Sequence, residues 1–164
     1  MGQIEQIKVL DSIEGRSIVE IRAALQHLGH DRDVRTYAVR VLQNGNTVVI
    51  FTPEDDETRE IAVRDGLVLS TLEARDFNAH FKLAGALHSG SLAAILVAVP
   101  VLEQRKLKLA DYRITLLRNR DSYVIAFTDK DSHSGGRGNP GRRLGFEVEV
   151  GAADLHVINS HFIR

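Results

Sequence analysis

The residues best suited to chemistry lie in one stretch, Asp129-Lys-Asp-Ser-His-Ser-Gly-Gly-Arg-Gly-Asn-Pro-Gly-Arg-Arg143. Glycine, lacking a Cβ, lets a backbone approach an anion closely, and arginine offers forked donors that match carboxylate or phosphate. Arg137, Arg142 and Arg143, with His133 nearby, are therefore a candidate surface for an acidic protein partner or a phosphorylated ligand. No Gly-Lys-Ser/Thr opens a helix here, so this is not a nucleotide-cradling loop. A long hairpin connection with solvated arginines has the same composition, because loops of this length are either functional or mobile. A second charged segment, Pro53-Glu-Asp-Asp-Glu-Thr-Arg-Glu60, is acidic. Glu54, Asp55, Asp56 and Glu57 are its candidate contact residues, against the plainer reading of a solvated charge run.

The seven histidines invite a metal, and their spacing mostly refuses one, with His80 and His88, eight apart, the pair that could share a helix face. His156 and His161 are five apart, which puts them on opposite faces of a regular strand. His27 falls on the solvent side of a helix, and His30 follows its end. Ser89 and Ser91 beside His88 sit in no nucleophile elbow, and Ser91 reads as a helix cap. No catalytic residue, no metal and no cofactor is assigned.

Composition narrows the partner class. Net charge is −1, so no global field recruits nucleic acid or an anionic membrane. Aromatic content of 5% without tryptophan argues against a base-stacking platform. Cysteine is absent, which removes thiolate sites and disulfides together. The longest apolar run, Leu92 to Leu102, is too short to span a bilayer, and Met1 to Lys8 has no apolar signal core. The expected compartment is cytoplasmic, with the periplasm open if a leader was removed.

These groups must be positioned by elements that occur twice. Tyr37 to Ile50 aligns without gaps over Tyr112 to Ile125, matching Tyr37/Tyr112, Leu42/Leu117, Asn44/Asn119, Val49/Val124 and Ile50/Ile125. One inserted residue later, Phe51-Thr52 meets Phe127-Thr128. Each copy of such a repeat needs a neighbour to cover its apolar face. Ser17 and Glu20 have capping-box spacing, and Ile18, Ile21, Leu25 and Leu28 share one face, predicting a helix over 18–28 closed by Gly29. Strands follow from Tyr37, with a hairpin at Asn44-Gly45, then over 47–52, 59–64 and 67–71. A connecting helix is expected over 72–87, on the spacing of Phe77, Phe81 and Ala84. A helix over 92–106, bent or broken near Pro100 and buried on more than one side, opens the second copy. Its strands are expected over 111–118, 122–128, 144–150 and 155–160. Tyr37, Val39, Val41, Tyr112, Ile114 and Leu116 form the inward face, with the tyrosines as packing anchors.

The two charged segments then occupy equivalent places with opposite sign. They would clamp the halves together, set up a head-to-tail homodimer, or serve two different partners.

With Leu109-Ala-Asp-Tyr112, Tyr123-Val-Ile-Ala-Phe127 and Gly135-Gly-Arg-Gly138 in place, the chain resembles the cystatin-like and NTF2-like group, in particular its small bacterial immunity-type proteins. The resemblance covers 92–164 directly and 17–71 through the repeat. The cystatins' Gln-x-Val-x-Gly hairpin is absent, as is the pocket acid/base pair of NTF2-like enzymes. The expected fold is α+β, with a first αβ repeat over 1–71, a connecting segment over 72–90 and a second repeat over 91–164, together one compact domain. The resemblance implies a non-enzymatic protein-binding module, in its specific form an inhibitor of a bacterial toxin or effector. A ligand carrier or enzyme with a cavity between helix and sheet is the alternative, and a structural assembly subunit is the third.

Overall fold

The computed structural model describes residues 8–28, 34–54, 60–65, 67–69, 81–131 and 143–163. These residues form two helices and two antiparallel five-stranded sheets, an α+β architecture. In chain order the elements are β1 (Lys8–Glu14), α1 (Gly15–Leu28), β2 (Ala38–Asn44), β3 (Asn46–Thr52), β4 (Ile61–Arg64) and β5 (Leu67–Leu69). Then come β6 (Lys82–Leu87), α2 (Ser91–Gln104), a 3-10 turn at Leu109–Asp111, β7 (Tyr112–Arg118), β8 (Ser122–Asp129), β9 (Phe146–Gly151) and β10 (Val157–Phe162).

The chain divides into two compact units, and the division does not follow the sequence halves. One unit is Arg16–Leu92, here the α1 unit; the other, the α2 unit, joins Met1–Gly15 to Ala93–Arg164. The α1 unit holds a sheet of order β5-β4-β3-β2-β6, the α2 unit a sheet of order β1-β7-β8-β9-β10. The strand before each helix therefore pairs in the other unit's sheet: β1 leads into α1 but lies antiparallel to β7, and β6 leads into α2 but lies antiparallel to β2.

In the α1 unit, Ser17, Ile18, Ile21 and Ala24 are the buried stripe of α1, at the 3–4 residue spacing of one helix face. Val39, Val41, Val49, Phe51 and Val63 form the buried face of the sheet that shares a groove with α1. The opposite face is buried too: Leu42, Val48, Ile50 and Ala62 cluster there with Leu69 and Phe81 packed against them. In the α2 unit, Ile95, Val99 and Leu102 run along α2 and are fully buried. Tyr112, Ile114, Leu116, Ile125, Phe127, Phe146, Val148 and Val150 form the matching sheet face, also fully buried. Each such side chain contributes about 1.5–3 kcal/mol through burial, so this face is the main source of the unit's stability.

Four expectations change. Residues 82–87 are strand β6, not the end of a connecting helix; hydrogen bonding along β2 outweighs the weak helical spacing of Phe81 and Ala84, while 70–80 lie outside the described residues. The segment 8–14, unassigned from sequence, is β1, whose alternation is broken by a register shift between Val9 and Asp11. Helix α1 starts at Gly15, so Ser17 lies inside the first turn and is not the cap. Gly15 permits this early turn: a Cβ there would lie 1.9 Å from the Leu109 carbonyl oxygen, so only glycine fits. Helix α2 runs through Pro100 to Gln104 without a break, with Pro100 on its exposed side.

The strand registers also relocate the extra residue of the second copy. Asn44 pairs with Asn46 around Gly45, whereas Arg118 pairs with Tyr123. Val41 pairs with Val49, and Leu116 with Ile125. Ile125 is thus the counterpart of Val49 rather than of Ile50, and the insertion belongs at the hairpin tip. Past the tip, Phe51 matches Phe127 and Pro53 matches Asp129.

Candidate functional site at the base of the glycine and arginine segment

Strand β8 alternates Ile125, Phe127 and Asp129 on its inward face, so its last residue delivers a carboxylate to the edge of an apolar core. A buried carboxylate must be hydrogen bonded or paired. Asp129, with its side chain 2% exposed, is both. One oxygen accepts the Asp131 N–H at 3.0 Å and the Arg143 guanidinium at 3.2 Å; the other accepts the Arg143 N–H at 3.1 Å. The Asp131 amide, then the Arg143 amide and charge, hold its pKa below the ordinary aspartate value despite the opposing cost of burial.

Arg143 does more than cap Asp129. Its guanidinium also lies 3.5 Å from Asp111 and 3.7 Å from Asp131. Asp111 is placed by the 3-10 turn that leads into β7, and its carbonyl accepts the Lys130 N–H at 3.1 Å. Tyr112, the cross-strand partner of Asp129, is fully buried and donates its hydroxyl to the Leu144 carbonyl at 3.5 Å. Burial pushes the Tyr112 phenol pKa up. Residues 131 and 143 are thus fastened to one carboxylate, which fixes both feet of the segment 132–142.

Arg143 is therefore engaged within the chain by Asp111, Asp129 and Asp131. Arg137, Arg142 and His133 lie outside the described residues, as do Asp55, Asp56 and Glu57. Glu54 is described and exposed. Near the end of its acidic segment, Glu60 accepts a hydrogen bond from Arg40 at 2.7 Å. The equivalent of buried Asp129 in the α1 unit is Pro53, so the two segments rise from chemically different bases.

Other polar groups gather on the outward face of the α2-unit sheet. Ser122 donates to Glu149 at 2.7 Å, and Asn159 donates to the other Glu149 oxygen at 3.3 Å. His161 lies 3.3 Å from the Asn159 side-chain oxygen and 3.8 Å from Glu147. His156 instead contacts Asp154 and lowers that exposed carboxyl's pKa through their side-chain hydrogen bond. Among the described residues, no three His, Cys, Asp or Glu side chains are grouped to hold a metal. His27 is exposed, as expected, and lines a groove of about 300 Å³ with Glu20, Ala24, Thr47, Val49 and Asp65. Among the described residues, no helix is long and apolar enough to cross a membrane.

The sequence points to the segment and not to the carboxylates at its foundation. The available signal was an acidic residue at a strand position whose i−2 and i−4 neighbours, Phe127 and Ile125, are core residues. Asp111, in Leu109-Ala-Asp-Tyr112, gave no such signal, because its role depends on a turn that brings it to Arg143 from 32 positions away. Comparison with protein-family models, with curated proteins and with solved structures returned no match.

Proposed function

We propose that this protein is a non-enzymatic binding module that engages a protein partner through the glycine and arginine segment, in the manner of an immunity-type inhibitor of a toxin or effector. One observation carries the proposal: Asp129 bonds both Asp131 and Arg143, so the segment between them is presented from a fixed base. A rigid scaffold beneath a variable segment is the usual way proteins display a recognition surface. The arginines assigned here to the partner are Arg137 and Arg142, since Arg143 is bound to carboxylates of its own chain.

The chemistry of the base supports binding over catalysis. Asp129 has a lowered pKa and accepts three hydrogen bonds, which makes it a poor proton acceptor. The test is capture from the native host's lysate with wild-type and Arg137→Ala/Arg142→Ala baits at low and high salt. The expected result is a specific protein retained by the wild type at low salt, reduced by salt and lost with the double variant. Equal recovery by both baits would sink the proposal. The double variant keeps Arg143, so its thermal unfolding should match the wild type to within about 0.5 kcal/mol.

A second reading, carriage of a small cationic ligand, is favoured by the groove beside α1, whose rim includes Glu20 and Asp65. Calorimetric titration with simple amines would distinguish it, since heat abolished by Glu20→Gln would move the site to the α1 unit.

A further inference from the structure

We propose that β10 is a self-association edge, on which a second copy of this chain adds its own β10 antiparallel about a two-fold axis through Ser160. Strand edges display unpaired backbone groups, and proteins usually guard them with lysine, brevity or bulges. Among the described residues, three of the four sheet edges are guarded. β1 and β6 begin with Lys8 and Lys82, and β5 has three residues. β10, Val157-Ile-Asn-Ser-His-Phe162, has no lysine, arginine or proline, and its irregularity lies between Val157 and Asn159, leaving 159–162 regular. Val157 is 40% exposed, Ile158 48% and Phe162 38%.

The backbone register shows which groups are free to pair. Ile163 N–H donates to the Gly145 carbonyl at 2.8 Å, and antiparallel pairs alternate, so Asn159 and His161 turn their backbone groups toward β9. Ser160 and Phe162 turn theirs to the open edge. An axis through Ser160 joins the two central residues by reciprocal N–H to C=O bonds. It sets Asn159 opposite the partner's His161, a side-chain donor and acceptor pair, and brings Ile158, just beyond the regular stretch, toward the partner's Phe162. Moving the axis to His161 would instead oppose two imidazoles. The edge pattern is self-complementary about Ser160, and this is why the occupant is a second copy rather than an unrelated strand.

The chain contains no cysteine, which permits a clean test on the full-length protein. Residues opposite each other in a hydrogen-bonded pair have Cα atoms about 5.5 Å apart, inside the roughly 4.4–6.8 Å range that a disulfide spans. Under mild oxidation Ser160→Cys should give a covalent dimer, and a mixture of Asn159→Cys with His161→Cys should give the heterodimer in preference to either homodimer. Sedimentation of the wild type at high micromolar concentration should show twice the mass of one chain. Ser160→Pro, which deletes only an edge-facing N–H, should show one chain's mass. Should the proline variant fail to fold, the cysteine pattern decides alone. A wild type monomeric at every concentration overturns the proposal and leaves the edge to a strand from another protein. A wild-type dimer in which Ser160→Cys stays uncrosslinked also overturns it, placing the interface elsewhere.

Discussion

The two sheets have the same number of strands and equivalent registers, but their outward faces differ in kind. In the α1 unit that face is Leu42, Val48, Ile50 and Ala62, all buried and covered in part by Leu69 and Phe81. The same register positions in the α2 unit are Leu117, Val124, Ala126 and Glu147, all half-buried. Arg64, stacked 5.9 Å over Phe81, is replaced by Glu149, bonded to Ser122 and Asn159. One sheet uses both faces for packing; the other keeps one face for water or a partner. Two frameworks of like strand register thus differ in the side chains of a single face, buried in one sheet and half-buried in the other.

The largest expected effect comes from forcing one sheet's chemistry onto the other. Ala62→Glu, copying Glu147, would put a carboxylate where no exposure remains. An unpaired buried charge costs about 3–5 kcal/mol, so urea denaturation should show the fold lost or its midpoint sharply lowered. A variant as stable as the wild type would break the comparison, because the outer face of the α1 unit would then be open.

Asp129→Ala should follow, at about 2–3 kcal/mol, the scale for removing a buried charged hydrogen-bonding group. Its effect on pH dependence has a definite sign. The folded pKa is depressed, so Asp129 adds stability above the ordinary value of 3.8, and this is lost as pH falls through the folded value. Asp129→Asn should therefore flatten the fall in denaturation midpoint below about pH 4. An unchanged acid slope would remove Asp129 from the foundation of the segment.

Tyr112→Phe tests the same base more gently. The hydroxyl bond is long at 3.5 Å, and the ring stays packed edge-on against Phe127, so the loss should be about 0.5–1 kcal/mol in chemical denaturation. Glu147→Ala, the reverse of the first exchange, should change stability by no more than about 0.5 kcal/mol. Cost near that of Ala62→Glu would show that the α2-unit face is structural after all.

Much of this contrast was legible from residue order, and its gaps have physical causes. The alternation of Tyr112, Ile114 and Leu116 placed β7 and its inward face correctly, because a half-buried strand imposes period two. Tyr37 is only half-buried where Tyr112 is fully so, which its alignment could not reveal. Strand β6, with Gly85 and exposed Lys82 and Leu83, carries almost no pattern of its own. Its state is set by pairing with β2, a non-local interaction that local propensity does not encode. The gapless match of Ile50 with Ile125 failed for a related reason: a one-residue shift exchanges faces while leaving the residue types similar. Arg143 carries the same sequence signal as Arg137 and Arg142, and its engagement by Asp111, Asp129 and Asp131 depends on residues brought together only by the fold.

The pairing of β1 with β7 also sets a timetable for making the protein. Glu14 and Arg113, bonded at 3.0 Å across these strands, are 99 positions apart in the chain. At about 5–20 residues per second, a ribosome needs roughly 5–20 s to produce the second after the first. During that interval α1 and its own sheet can assemble, while the strand preceding them waits with Ile13 uncovered. Closure of such a distant pair carries its loop entropy before any contact repays it, which slows the final step. A newborn chain is therefore exposed to misassembly at β1, and in a crowded cell the β7 of a neighbouring chain offers it the same docking place as its own.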